Sequence, residues 1–131
     1  MLAVCHTVMV ETDKTTASIA IQNPDDLLKY SASSPDELAL VMGAKDVGIV
    51  FNKRTASTIS IRVGGGPEGK TPGVVEDYEA IVEFPFDSTR KRMSLLVKHH
   101  QTGKYYLMTK GADSIMLPRI KIDSDIQRKM E

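Results

Sequence analysis

The stretch Met93-Ser94-Leu95-Leu96-Val97-Lys98-His99-His100-Gln101-Thr102-Gly103-Lys104-Tyr105-Tyr106-Leu107-Met108-Thr109 decides the fold. Met93, Leu95 and Val97 alternate with Ser94, Leu96 and Lys98, the period of two that marks a strand. His99 to Gly103 is a loop of hairpin length, and Tyr105 to Thr109 is the returning strand. Working upstream, Val75 to Phe86 contains another strand, clearest in Ala80-Ile81-Val82-Glu83-Phe84. The polar run Asp87-Ser88-Thr89-Arg90-Lys91 is the turn that links it to Met93. Thr58 to Val63 alternates Ile59, Ile61 and Val63 against Thr58, Ser60 and Arg62, a half-buried strand. Gly64 to Gly73 is a glycine-rich loop, and Ile49-Val50-Phe51 begins a further strand after Gly48.

Helical signals are fewer. Ser33-Ser34-Pro35-Asp36-Glu37 is a helix start: a serine cap, proline in the first turn, and acids near the positive end of the dipole. Ser34-x-x-Glu37 also has the capping-box spacing. Leu38, Val41 and Met42 continue a helical period to about Ala44. Gly111 opens a short helix around Ala112 to Leu117, halted by Pro118. Asn23-Pro24-Asp25-Asp26 is a turn, and Leu27 to Tyr30 fits either a helical turn or a strand. The pattern is that of an α+β domain with an antiparallel sheet and flanking helices, because strict β-α-β alternation is missing. We expect one domain over residues 1–131, with a polar tail from about residue 120 that frays. Met1 to Val10 starts at full core character, so the chain is expected to be a fragment of a longer protein.

Composition narrows the function. Seventeen Lys+Arg balance seventeen Asp+Glu among 131 residues, unlike the basic excess of a nucleic-acid binder. Hydrophobic residues at 41% and charged residues at 26% are ordinary for a globular domain. No apolar run approaches the roughly 18 residues needed to cross a bilayer, and no secretory signal is visible. The single cysteine rules out an intrachain disulfide framework and fits a reducing compartment.

Several motifs tempt and fail. Gly64-Gly65-Gly66-Pro67-Glu68-Gly69-Lys70-Thr71 matches the phosphate-binding pattern G-x-x-x-x-G-K-[ST]. That chemistry needs a helix directly after the loop, to present backbone N–H groups to phosphates. Pro72-Gly73 follows instead, pushing Thr71 out of helical geometry and weakening any helix beyond it. Asp13-Lys14-Thr15-Thr16 resembles a phosphoryl-accepting Asp-Lys-Thr-Gly without its glycine and reads as a solvated turn. His6, His99 and His100 lack suitably spaced partners for a metal and read as surface-loop residues. Cys5 reads as a small buried hydrophobe. No metal site and no catalytic residue is assigned.

Four segments in order carry the functional signal: Cys5-His6-Thr7-Val8, Ser33-Ser34-Pro35-Asp36-Glu37, Phe86-Asp87-Ser88-Thr89-Arg90-Lys91-Arg92-Met93-Ser94, and Lys110-Gly111-Ala112-Asp113. Together they resemble the nucleotide-binding domain of P-type ATPases, in wording closest to the phospholipid-flippase (type IV) branch. The resemblance runs from about Leu2 to Arg119. It implies a cytosolic domain on a twisted antiparallel sheet that holds the adenine end of ATP for phosphoryl transfer to an aspartate in a separate domain. It also implies that Phe86 stacks on adenine, a contact worth roughly 1–3 kcal/mol. Lys110 and Gly111 would line the pocket, and Glu37 would accept from the adenine amino group. Lys91 would lie near the phosphates, with the Ser88 hydroxyl in the same turn. The parent implied is an ATP-driven phospholipid translocase at the cytosolic face of a membrane. Its partners would be phosphorylation and actuator domains and a flippase β-subunit, with Mg²⁺ accompanying the ATP phosphates. Neither the phosphoryl-accepting motif nor the family's downstream Gly-Leu-Arg-Thr-Leu stretch occurs here, so weak ATP binding without turnover is expected of this chain alone. Two other readings stand beside this one: a self-contained P-loop hydrolase using residues 64–71, and a non-catalytic interaction module on the same fold.

Overall fold

The alternation of branched apolar with small polar residues produces a five-stranded antiparallel sheet. In this computed structural model residues 1–12, 28–65 and 73–121 are described. The chain begins with tight turns through His6. Strand β1 (Met9–Thr12) then pairs antiparallel with β2 (Leu28–Ser31), helix α1 spans Pro35–Asp46, and the main sheet follows. Its strands are β3 (Ile49–Arg54), β4 (Thr58–Val63), β5 (Val74–Phe84), β6 (Arg92–His99) and β7 (Tyr105–Gly111), each paired with the next. Helix α2 (Asp113–Met116) and a 3₁₀ turn (Leu117–Arg119) end the described chain. Strands dominate, with few helices among the described residues, as an antiparallel hairpin succession predicts. Of Leu27–Tyr30, residues 28–30 are strand within β2, and Leu27 lies outside the described residues. The Asp13–Thr16 and Asn23–Asp26 turns, most of the Gly64–Gly73 loop, and residues 122–131 of the tail lie outside the described residues.

Helix α1 starts where expected and runs two residues past Ala44. It stops because Gly48 takes φ of +86° and donates its N–H to the Lys45 carbonyl at 2.9 Å, a left-handed ending that glycine adopts without a Cβ penalty. Val41 and Ala44 are its buried residues, with Leu38 half-buried. Met42, assigned to the apolar period, is instead exposed: the buried stripe runs at intervals of three and misses it.

The core lies between the main sheet, α1 and the first eight residues. Phe51, Ile59, Ile61, Leu95 and Val97 meet Val41 and Ala44 from the helix and Ala3, Val4, Cys5 and Val8 from the amino-terminal segment. Tyr30 donates its hydroxyl to the Phe51 carbonyl at 2.6 Å and stacks on that ring, anchoring the β1–β2 pair to β3. Cys5 is fully buried, with its thiol pushed upward in pKa by burial.

Two histidines correct the surface-loop reading. His6 is fully buried edge-on against Phe51, with ring centroids 4.5 Å apart. The Val8 N–H donates to His6 Nδ1 at 3.1 Å, so the proton sits on Nε2, which donates to the Ala3 carbonyl at 2.9 Å. His99 is buried because it continues the Met93, Leu95, Val97 face of β6 by one more step of two. Its Nδ1 is 2.8 Å from the Thr102 hydroxyl, and its ring packs near Tyr78. His100, next in line, is exposed.

Candidate functional site

A cavity of about 560 Å³ opens where the start of α1, the end of β5, the start of β6 and the end of β7 converge. That size falls within the roughly 300–1,000 Å³ range of small-molecule sites. Strand pairing explains which side chains reach it. In an antiparallel pair, residues directly opposite share a face. Lys110 is opposite Met93, and Glu83 is opposite Leu95, so all four belong to the core-side face. Met93 and Leu40 supply apolar wall, while Glu37, Glu83 and Lys110 supply charge.

Phe84 and Phe86 are separated by the same logic. A register shift between Ala80 and Val82 changes the phase of β5, so Phe84 is opposite Ser94 on the outer face. The strand ends at Phe84, and after Pro85 the chain turns Phe86 into the cavity wall. A regular strand would have put both rings on one side; the bulge sets Phe84 on the outer face, and the end of the strand at Phe84 frees Phe86 to turn to the other. Phe86 is 61% exposed, a free aromatic face at the rim. Phe84 lines a different cleft on the outer face, with Arg90, Arg92, Leu107 and Arg119.

Opposite Phe86, Lys110 Nζ donates to Glu37 Oε1 at 2.9 Å, with side chains 17% and 14% exposed. Glu37 Oε2 accepts from the Thr7 hydroxyl at 2.6 Å and the Thr7 N–H at 3.3 Å. Burial alone would raise the Glu37 carboxyl, but the hydrogen bonds from Thr7 and Lys110 outweigh it and hold the group below its ordinary value. The capping box is therefore only half formed. The Ser34 hydroxyl accepts from the Glu37 N–H at 3.4 Å, while the Glu37 carboxylate turns to Thr7 and Lys110 rather than back to Ser34.

Gly111 lines the cavity and has a second reason to be glycine. A Cβ there would stand 2.5 Å from the Lys91 carbonyl oxygen and 2.6 Å from the Arg92 Cβ. This close approach lets the Ala112 N–H donate to the Lys91 carbonyl at 3.0 Å. Lys91 itself has φ of +52°, and its N–H donates to the Asp87 carbonyl at 2.7 Å. Asp87 Oδ1 accepts from the Thr89 and Arg90 N–H groups, closing the turn. Ser88 and Lys91 are exposed on this turn, outside the cavity lining. Of the six residues assigned from sequence, Glu37, Phe86, Lys110 and Gly111 thus meet in one cavity, and Ser88 and Lys91 flank it. Thr7 and Glu83 were not assigned. Thr7 lay within the quoted Cys5–Val8 motif, so its signal was present; Glu83 depends on the bulge.

The family described as P-type ATPase, cytoplasmic domain N, matches residues 1–122 of the chain. The chain belongs to this family. Relatives named phospholipid-transporting ATPases match it over nearly its whole length. "Probable phospholipid-transporting ATPase 11" of Arabidopsis thaliana is 40% identical over 120 residues, 92% of this chain and 9% of that protein. "Phospholipid-transporting ATPase IK" of Mus musculus is 41% identical over 121 residues, 92% of this chain and 8% of the relative. "Phospholipid-transporting ATPase IC" of Xenopus tropicalis is 42% identical over 127 residues, 97% of this chain and 9% of the relative. The chain thus spans about a tenth of the length of the curated relatives it matches, and the resemblance read from its motifs is borne out. This N domain has no helix, among the described residues, long and apolar enough to cross a membrane.

The N-domain topology also bears on residues 64–71. Val63 pairs directly with Val74, so the loop joins neighbouring antiparallel strands, and β5 rather than a helix begins three residues after Thr71. The helix that would present N–H groups to phosphates has no room to form there.

Proposed function

We propose that this N domain holds the adenine end of ATP in the Phe86–Lys110 cavity. In the parent it would present the phosphates to an aspartate of a separate phosphorylation domain. The observation that carries the reading is an exposed aromatic face, Phe86, standing in one cavity with a carboxylate whose acceptor atoms are fixed, Glu37. Stacking on the ring and acceptance from an exocyclic amino group are what an adenine needs. The charge balance supports the base end rather than the phosphates. Among the described residues, Asp36, Glu37 and Glu83 line the cavity with a single ammonium, Lys110, already paired to Glu37. A triphosphate placed inside would meet excess negative charge. The phosphates are therefore assigned to the outside, toward Lys91 and the Ser88 hydroxyl on the flanking turn. Among the described residues no three His, Cys, Asp or Glu side chains are grouped to share a metal ion. Mg²⁺, which the family implies, would travel with the phosphates and screen charge between them, while this chain's residues bind and orient the base.

In the full pump the domain would work with phosphorylation and actuator domains, and a β-subunit, at the cytosolic face of a membrane. Phospholipid movement would be driven by the phosphoryl transfer. The isolated chain is expected to bind ATP without turnover.

Amide NMR titration with ATP tests this. Shifts are expected around Phe86, Glu37 and Lys110. Phe86→Ala should weaken binding by about tenfold or more, as loss of a base stack worth roughly 1–3 kcal/mol requires. Phe84→Ala and deletion of Gly64–Gly69 should leave binding intact. Shifts centred on Gly69 and Lys70 and lost with that deletion would overturn the assignment in favour of the loop.

A further inference from the structure

Thr7 precedes Glu37 by thirty residues, and both of its donors go to one atom. Its hydroxyl and backbone N–H reach Glu37 Oε2 at 2.6 and 3.3 Å, leaving Oε1 to Lys110. Glu37 has a competing partner close by. It lies three residues after the cap residue Ser34, and that spacing ordinarily returns the carboxylate to the cap's own N–H. The return contact is not made here; the carboxylate is spent on Thr7 and Lys110. Thr7 is well placed to win this competition because its neighbour His6 clamps the segment. The His6 ring donates to the Ala3 carbonyl on one side and accepts from the Val8 N–H on the other, so the backbone that presents Thr7 is fixed to the core.

We infer that Thr7 is a positioning residue that withholds Glu37 from the helix cap and aims Oε1 into the cavity, making the cavity select adenine over guanine. The inference rests on the nucleotide reading of the site. An Oε1 already accepting from Lys110 keeps a lone pair for a second donor. Adenine presents its 6-amino group as that donor. Guanine presents a carbonyl oxygen at the same position, which a carboxylate repels. A free carboxylate could rotate to follow guanine's 2-amino group; one tied at Oε2 by two hydrogen bonds cannot.

The test has two arms, run on wild type, Thr7→Val, Thr7→Ser and Thr7→Ala. Without nucleotide, a pH titration followed by NMR reads which backbone amide senses the Glu37 carboxyl. In wild type and Thr7→Ser the residue-7 amide should follow it and Ser34 should not. In Thr7→Val and Thr7→Ala the Ser34 amide should follow it, and Glu37 should titrate at higher pH. With nucleotide, the ratio of ATP to GTP affinity should fall about tenfold in Thr7→Val and Thr7→Ala, the size of one charge-assisted hydrogen bond. Thr7→Ser should keep the ratio. A folded Thr7→Val or Thr7→Ala with the wild-type ratio and a silent Ser34 amide would overturn the inference. Failure of wild type to bind either nucleotide would instead overturn the nucleotide reading and the selectivity with it, while the titration arm still decides whether Thr7 positions Glu37.

Discussion

Phe84 and Phe86 stand two residues apart, each near cations, yet on opposite faces of the sheet. The inner face at Phe86 is roofed by α1 and the amino-terminal segment, and its ammonium, Lys110, is paired with Glu37 at 2.9 Å. The outer face at Phe84 carries Arg90, Arg92 and Arg119, and among the described residues no carboxylate lies within ion-pair distance of them. Their guanidinium groups reach the Arg90 and Ile115 carbonyls and the Phe84 ring. The difference teaches that an aromatic ring beside cations is common to both faces and does not by itself single out the face proposed to hold a base. The inner face adds what the outer lacks: a carboxylate held by two elements at once, in a cavity walled in part by the buried Met93. The proposed recognition chemistry is built where the packing is.

The largest effect should come from breaking that packing. Leu95 of β6 is opposite Met108 and Leu107 of β7 is opposite Leu96, one register step apart, so the two leucines face opposite ways, 1% and 63% exposed. Leu95→Ala is expected to cost about 2–5 kcal/mol, the range for emptying a buried leucine site. Leu107→Ala should stay within about 0.5 kcal/mol of wild type, as exposed substitutions do. Urea unfolding of both reads the contrast directly. Equal costs would mean that something buries the outer face as firmly as α1 buries the inner one.

Acid should also strike the inner face. Burial, then the charges of Arg54 and Lys110, depress the His6 pKa to about 4 against the opposing pull of the Ala3 carbonyl and Glu37. His6 is neutral in the folded protein and protonates near pH 6.5 when unfolded, so the unfolded state binds the extra proton first. Stability is therefore full above about pH 6.5 and falls as pH drops through pH 4, by about 3 kcal/mol in all. His6→Gln should flatten the part of the pH–stability curve between those values. An unchanged slope would show that His6 is charged in the fold or that other groups set the acid limit.

These contrasts also mark what sequence could convey. The hairpin succession was legible because β4 and β6 each carry their own alternation and β7 returns from β6 across a loop of hairpin length, and α1 because its start signals sit within five residues. Phe86, Lys110, Gly111 and Glu37 were legible through motif wording. The bulge at Ala80–Val82 was not: Ala80-Ile81-Val82 has no polar residue to mark a change of phase, and the shift exists only against β6. His99 could have been read as buried by carrying the Met93–Leu95–Val97 period one step further, but its neighbour His100 and the adjacent glycine loop drew it into the turn. The half-formed capping box was not legible either. Local spacing favours Ser34 as the partner of Glu37, and only a contact thirty residues away reverses that preference. Local periodicity thus predicts elements, while the site is decided by contacts between elements that local periodicity does not encode.

The smallest effect sharpens the comparison at the level of single pairs. Lys110 and Glu37 form an ion pair mostly withdrawn from water, with Thr7 fixing the acid. Arg90 lies 5.9 Å from the centroid of the Phe84 ring, at a rim open to solvent. Water and salt screen the second far more than the first. Double-mutant cycles should give a coupling of about 1–2 kcal/mol for Lys110→Met with Glu37→Gln, above the usual exposed ion pair. For Arg90→Gln with Phe84→Leu the coupling should be about 0.5 kcal/mol, the value of an exposed cation–aromatic contact. Raising the salt concentration should shrink the outer coupling more, in proportion, than the inner one. If the two couplings were equal and equally salt-sensitive, Glu37 and Lys110 would behave as surface charges. The fixed acceptor on which the proposed base recognition rests would then be no better ordered than the arginines on the far side of the sheet.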